Sequence, residues 1–319
     1  MGFYYTAPKL LGKAKKRSTE NQKLLDMLDR FIDENESEPI EILVRFWKDQ
    51  ENAITYKELR EMVENKEVDN GALMDWSKDY SIFVKEKFVP MLELAAKEGG
   101  KTIAALNELD NFSFEVTDAN ITKWIDEKGT KLITNLVEEQ RDAIQSIIFR
   151  GYADEIAPEK LARMIRPCIG LTKPQTTAVY NHRIKMIESL KKDHPRMKQQ
   201  TIERKAEESA RKYSERLHRY RARTIVNTEL AEAYSAGAHA SVMQAQEKGY
   251  MGKVEKVWVT ARQSNVCKFC EAVEGVKKAM DEPFDLGKCG MVQYPPAHPR
   301  CRCVLKYVEV KEEQGEKSS

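Results

Sequence analysis

Apolar residues recur at helical spacing along most of the chain, and the runs are separated by a few punctuating dipeptides. Residues 19–150 read as several helices broken at Glu38-Pro39, at Asp69-Asn70-Gly71 and at Gly99-Gly100, since Gly and Pro are the usual interrupters. A long helix is predicted over about 119–150, ending near Gly151, with Ile133, Leu136, Ile144 and Ile148 on its apolar face. Pro158 stands where a first-turn proline opens the next helix, Ala157 to Arg166. Lys173-Pro174 opens another, fading near Asp193-His194-Pro195. The clearest periodicity follows. Ala206, Ala210, Tyr213, Leu217, Tyr220, Thr224, Asn227, Ala231, Tyr234, Ala238, Ser241 and Ala245 are spaced by alternating fours and threes and closed by Gly249. Such a seam of small and aromatic residues suits close packing within one protein, whereas a free coiled coil would place Leu or Ile there. Gly237 is read as a kink point in it.

Beyond Gly249 the period changes. Val254, Val257 and Val259 around Trp258 predict a strand, and 304–310 alternates like a second one. The expected fold is mainly α, with long helices packed as a bundle and a small C-terminal α+β module built to bind metal. Four regions are expected: an acidic helical part over 1–115, a long-helix part over 116–249, the Cys/His-rich module over 250–310, and a polar tail over 311–319.

The 319 residues allow two domains, or one with a long helical extension. No apolar run approaches the roughly 18 residues of a membrane span, and no signal-peptide apolar region is evident, so membrane and secreted-scaffold classes are set aside. Met1-Gly2-Phe3-Tyr4-Tyr5-Thr6 matches the myristoylation pattern, which is short enough to arise by chance. The formal net charge of +2 hides an asymmetry: residues 18–139 hold 28 acidic and 15 basic side chains, whereas 160–223 hold 18 basic and 6 acidic. The basic segment suits phosphate or an acidic protein surface, or else a solvated face that partly neutralises the acidic region. Its candidate DNA-binding residues are Arg204, Lys205, Arg211, Lys212, Arg216, Arg219, Arg221 and Arg223.

Five of the six cysteines (Cys267, Cys270, Cys289, Cys301 and Cys303) fall in the C-terminal module. In a reducing compartment, metal binding is the expected use of such a cluster. Cys267-x-x-Cys270 lets one loop present two thiolates to a single tetrahedral ion, and His298-Pro299-Arg300-Cys301-Arg302-Cys303 supplies the second half. Prolines 295, 296 and 299 restrict that backbone before any ion arrives. Cys267, Cys270, His298, Cys301 and Cys303 thus offer five donors for four places around a structural Zn2+, with either His298 or Cys303 as the fourth ligand. Arg302 and Arg300 are expected to offset thiolate charge. Cys168 and Cys289 are read as bystanders, and His182, His194, His218 and His239 as surface or packing residues.

Three alternatives use the same residues differently. A thioredoxin-like Cys-x-x-Cys needs a βαβ context and no second cluster. A nucleobase deaminase places its His-x-Glu upstream of the Cys pair, which this chain does not do. A metal-dependent hydrolase would need an open coordination place, with Glu271 or Glu274 as general base. No phosphate-binding Gly loop, His-Glu-x-x-His or Gly-x-Ser-x-Gly accompanies the cluster. The enzyme reading therefore rests on the cysteines alone.

Several runs resemble the phage head morphogenesis family, the Mu protein F-like minor head proteins. They are Ile225-Val226-Asn227-Thr228-Glu229-Leu230, Tyr234-Ser235-Ala236-Gly237, Val257-Trp258-Val259-Thr260, Val266-Cys267-Lys268-Phe269-Cys270, and Pro295 through Cys303. Residues 118–187, with Gly-Leu-Thr-Lys-Pro-Gln at 170–175, fit that family's long helices, and 1–115 carries no matching motif. The resemblance implies a non-enzymatic minor capsid protein of the virion, bound at the portal vertex inside the head and present in host cytoplasm during assembly. Its implied partners are the portal protein, the major capsid and scaffold proteins, and packaged double-stranded DNA, whose delivery it could influence; no membrane is implied. The chain departs from the family pattern at Asn227, where Arg is common, and at Gln263, where Asp is common. Thr228 and Glu229 are read as capping and packing residues, with Glu229 paired to a basic neighbour.

Overall fold

The computed structural model describes residues 18–261 and 267–310. The myristoylation pattern, the polar tail and Gln263 lie outside the described residues. Helices α1 (Thr19–Asn35), α2 (Ser37–Ala53), α3 (Tyr56–Asn65) and α4 (Asn70–Phe83) are joined by tight corners. Their starts follow local capping. Ser18 accepts from the Asn21 N–H, Thr55 and Glu58 form a reciprocal capping box, and Asp69 accepts from Ala72. A π-helical turn, Val84–Phe88, leads into α5 (Val89–Leu106).

Gly99 and Gly100 are therefore not a break; both lie inside α5 and are buried. The reason is packing. A Cβ on Gly99 would stand 1.9 Å from the Tyr234 carbonyl oxygen, and one on Gly237 would stand 1.9 Å from that of Ala96. The two helix backbones touch where side chains normally intervene, so glycine is required by the neighbour rather than by a turn. The same contact replaces the kink expected at Gly237, because α9 (Gln199–Glu247) runs through it as one continuous helix.

Helix α6 (Ala119–Ala153) is followed by α7 (Pro158–Ile165) and α8 (Lys173–Asp193), close to the boundaries expected from Pro158 and Pro174. Helix α9 is the axis of the molecule: α8 packs on its first half, α2 on its middle, and α5 along its second half. Its seam holds at both ends, where Ala206, Ala210, Asn227, Ala231, Tyr234, Ala238, Ser241 and Ala245 are buried, but not in the centre. Tyr220 is 56 % exposed, and Ser214, His218 and Arg221 face inward instead. An α-helix drifts relative to a strict heptad, so one stripe cannot stay on one face for 49 residues.

The C-terminal module follows as β1 (Val254–Val259), α10 (Lys268–Ala272), β2 (Lys277–Ala279), β3 (Phe284–Asp285), β4 (Met291–Val292) and β5 (Val304–Glu309). The sheet order is β2-β1-β5, antiparallel throughout, with Trp258 opposite Leu305, and β3 pairs with β4 apart from it. Trp258 and Phe284 form the centre of its core, with rings 5.1 Å apart edge to face. Strand β5 packs on both α1 and α9, which seats the module against the helical body.

Candidate metal centre

The Cys-x-x-Cys turn sits at the start of α10. Cys267 is its N-cap, and its sulfur accepts from the Cys270 N–H at 3.4 Å. That bond fixes the Cys267 sulfur over the first turn of α10. Thirty residues on, the chain returns through the cis Pro295-Pro296 bond to 298–303, an irregular segment that ends where β5 begins.

All five expected donors converge. Cys270, Cys301 and Cys303 form one group with mutual donor distances within 4.8 Å, and Cys267, Cys270 and His298 form another, with Cys270 common to both. The four sulfurs are buried, and His298 is half-buried. Zn–S bonds of about 2.3 Å at tetrahedral angles place neighbouring sulfurs about 3.8 Å apart, and a sulfur and an imidazole nitrogen about 3.6 Å apart. The Cys270 and Cys301 sulfurs are 3.8 Å apart, and Cys270 Sγ lies 3.4 Å from His298 Nε2. These two separations suit a tetrahedral ion, and the thiolate–imidazole chemistry of the donors is that of zinc sites. Cys301 and Cys303 precede β5 rather than lying in it, yet both reach Cys270, and His298 lies in the cluster itself.

Without an ion the cluster shares its charge unevenly. Hydrogen bonding from Cys270 draws the Cys267 thiol down to about 4, and the same thiol draws Cys301 down well below its ordinary value. Cys270 is driven up by its bonds to Cys267, Cys301 and Cys303. Burial opposes charge on His298, but its bonds to Cys267 and Cys301 outweigh burial and push it up to about 11. Close thiols cannot all ionise unless a cation compensates them.

The loop is fastened to the helical body on two sides. The Arg300 N–H, at a left-handed φ of 58°, donates to Thr228 Oγ1 of α9 at 3.0 Å. Its guanidinium lies over the Tyr220 ring at 5.8 Å. Arg302 turns to α1 and lies 3.8 Å from Asp29, with Asp33 and Glu36 adding to the attraction. Further along, Lys306 pairs with Glu20 at 2.6 Å. Thr228 is thus the residue at this site whose part the sequence concealed. Its motif run pointed to it, but its partner lies 72 positions away.

Cys289 is half-buried close enough to feel the charges of Cys267, His298 and Cys301, yet it belongs to neither ligand group. Cys168 is buried far off, its thiol pushed up to about 12 by burial. The general-base candidates are placed poorly for chemistry. Glu271 is exposed, and Glu274 accepts the Thr260 N–H at 2.6 Å at the end of β1. Glu229 pairs with Lys128 at 3.1 Å, and Glu232 shares the same lysine at 2.6 Å.

Residues 144–306, just over half of the chain, match the family model for Phage Mu protein F like protein. The chain belongs to this family. It is a family of phage head proteins, so the chain is a capsid-related component of a virion. The match closes three residues beyond Cys303 and takes in every candidate ligand as well as Thr228. No curated protein and no solved structure matches the chain. Among the described residues no helix is long and apolar enough to cross a membrane.

The basic candidates of α9 divide by environment. Arg221 is 4 % exposed and is no surface contact; it donates to the Gly170 carbonyl and to Glu139, and lies over Trp47. The others face solvent, but most are already paired: Arg204 and Lys212 with Glu208, Arg211 with Glu215, Arg219 with Glu41, and Arg223 with Glu36. Arg216 lies over the Tyr213 ring. Of the histidines, His218 is buried and bonded to the Ile169 carbonyl at 2.7 Å, His182 contacts Ser209, His194 is exposed, and His239 packs beside Tyr294.

Proposed function

We infer that this chain is a minor head protein acting in head morphogenesis at the portal vertex, inside the capsid, with a zinc-stapled C-terminal module. The observation that carries this reading is the family match over 144–306, a span that contains the entire donor cluster and the helix it docks on. Its partners are the portal protein and the major capsid and scaffold proteins, with packaged double-stranded DNA as a secondary contact whose delivery it influences. It acts in the host cytoplasm during assembly and remains in the virion.

The role of the ion is structural. When bound, zinc supplies four bonds that join the two loops of a module with short strands, and Cys267, Cys270 and Cys301 would hold it together with His298 or Cys303. Five donors for four places leave no need of an open position, which supports a scaffold over a hydrolase. The rest of the work is done by this chain's own groups: Thr228 holds the Arg300 backbone, and Arg302 reaches Asp29, so an ordered cluster presents one rigid face across α1 and α9.

The test is co-sedimentation of the purified chain with the portal protein encoded beside it, at low and high salt. Co-migration at both salts is expected. Absence of binding at both would contradict a role at the vertex.

A further inference from the structure

The basic segment divides into cations that already have carboxylates and cations that do not. Along the exposed face of α9, Arg204, Arg211, Lys212, Arg219 and Arg223 pair with Glu208, Glu215, Glu41 or Glu36, which leaves Lys205 and Arg216 without an ion pair among the described residues. A cation within salt-bridge distance of a carboxylate presents little net field to a third charge. The end of the α8–α9 hairpin is different. There Lys185, Lys191, Lys192, Arg196 and Lys198 are all exposed, and among the described residues none makes an ion pair. Only Glu188 and Asp193 stand against them over 185–198, and Asp193 accepts a hydrogen bond from Ser189 at 2.9 Å.

The hairpin is built to hold that end out. Nearer the body, its two helices are locked by His182 on Ser209 at 2.9 Å, His182 stacked on Tyr213 at 4.7 Å, and Arg183 beside Glu207 at 3.7 Å. Lys160 of α7 reaches further toward the turn, pairing with Glu203 in the second turn of α9 at 2.8 Å. Beyond Arg183 no residue up to Thr201 is buried; Ile184, Met186, Ile187 and Leu190 are half-buried between the helices, enough to keep the tip helical. Lys191 and Lys192 in the last turn suit the dipole of α8, but that does not account for Arg196 and Lys198 on the far side of the turn.

We propose that the tip of the α8–α9 hairpin, through Lys185, Lys191, Lys192, Arg196 and Lys198, is the surface of this protein that holds the phosphate backbone of double-stranded DNA. This rests on the head-protein reading and moves the contact away from the α9 stripe. The tip recognises charge and not sequence: its long flexible cations carry no fixed fork to a base edge, and phosphate contacts release counterions without reading bases. An acidic protein surface is the rival occupant. The tip favours DNA because five exposed cations face only two carboxylates over 185–198, a density that matches a line of regularly spaced phosphates.

The experiment measures binding of the full chain to a random-sequence duplex of about 30 base pairs across a salt series. Five phosphate contacts give a log–log salt slope of about −4 to −5 and roughly 10²- to 10³-fold weaker binding between 50 and 200 mM salt. Replacing Lys191→Gln, Lys192→Gln, Arg196→Gln and Lys198→Gln together should flatten the slope by about 3 to 4 and leave helical content and thermal unfolding unchanged. A stripe variant with Arg204→Gln, Arg211→Gln and Arg219→Gln should bind nearly as well as the parent. Equal losses in the two variants, an unaffected tip variant, or no salt-dependent binding by the parent would overturn the proposal. So would a tip variant that keeps DNA and loses the portal, since that outcome assigns the tip to a protein surface. Portal co-migration of the tip variant is scored separately, so the vertex reading can survive failure of the tip.

Discussion

The contact between α5 and α9 and the Cys/His module are held together by opposite means. In the helical body, backbones meet at Gly99 and Gly237, and Ala95, Ala96 and Ala233 are buried in a core that runs on into the module as far as Tyr307. In the module, the strands are six, three, two, two and six residues long, and the segment joining β4 to β5 has no regular structure of its own. Close packing specifies the first and ligand geometry the second. The difference teaches where each is fragile: the body is sensitive to added volume, and the module to loss of one donor.

The largest expected effect is on the module. Cys270 is the donor common to both ligand groups, so Cys270→Ser breaks both at once. Structural zinc contributes on the order of 10 kcal/mol to such sites. Hydrogen exchange should then show 254–310 unprotected while α5 and α9 keep their protection. Equal protection in both regions would break the comparison from the module side.

Gly237→Leu attacks the body. The new side chain meets the Ala96 carbonyl, and the helices must separate or α5 must shift. Overpacking of this kind costs about 3 kcal/mol or more, read as a lower urea midpoint with zinc content unchanged. Arg221→Met comes next. It strips a buried partner from the Gly170 carbonyl and from Glu139, which lies 2.5 Å from the guanidinium and is half-exposed. Loss of about 2 kcal/mol is expected from unfolding curves, because the buried Gly170 carbonyl is left without its donor.

Acid should also weaken the body and its contact with the module at His239, beyond the loss of zinc that protonation of the ligands brings. Burial lowers His218 and His239 to about 4 each, so between pH 6.5 and 4 the unfolded chain binds two protons that the folded chain refuses. Their stabilisation is present above pH 6.5 and is lost as pH falls toward 4. Glu229 works the other way. Burial raises it to about 7 despite Lys128, so its contribution is present at low pH and is lost as pH rises through 7. The net is one proton, or about 1.4 kcal/mol per pH unit, giving about 2 kcal/mol less stability at pH 5 than at 6.5. His218→Gln should flatten that slope, and Glu229→Gln should steepen it. The smallest effect belongs to the surface: Arg211→Gln breaks an exposed pair with Glu215 and should change stability by less than about 0.5 kcal/mol.

Much of this architecture could be read from spacing. Pro158 and Pro174 opened the helices they were expected to open, and the five clustered donors were recognisable because ligand spacing is local within each half of the site. What escaped was non-local. Gly99-Gly100 has the composition of a turn, and only Tyr234 and Phe114 packed against it show that the glycines serve close approach inside a helix. Arg221 looks like its neighbours in a basic run, and only the position of Trp47 and Gly170 shows that it faces inward. Arg302 adjoins two cysteines in sequence but answers to Asp29 on another helix.

The central claim is that one ion orders the module and seats it on a body that stands without it. Elemental analysis of the purified full chain, followed by hydrogen exchange before and after chelation, tests it most directly. One zinc per chain is expected, with chelation exposing 254–310 and the α1 face around Asp29 while the α5–α9 contact stays protected. A chain with no bound metal, or one whose module keeps its protection after chelation, would contradict it.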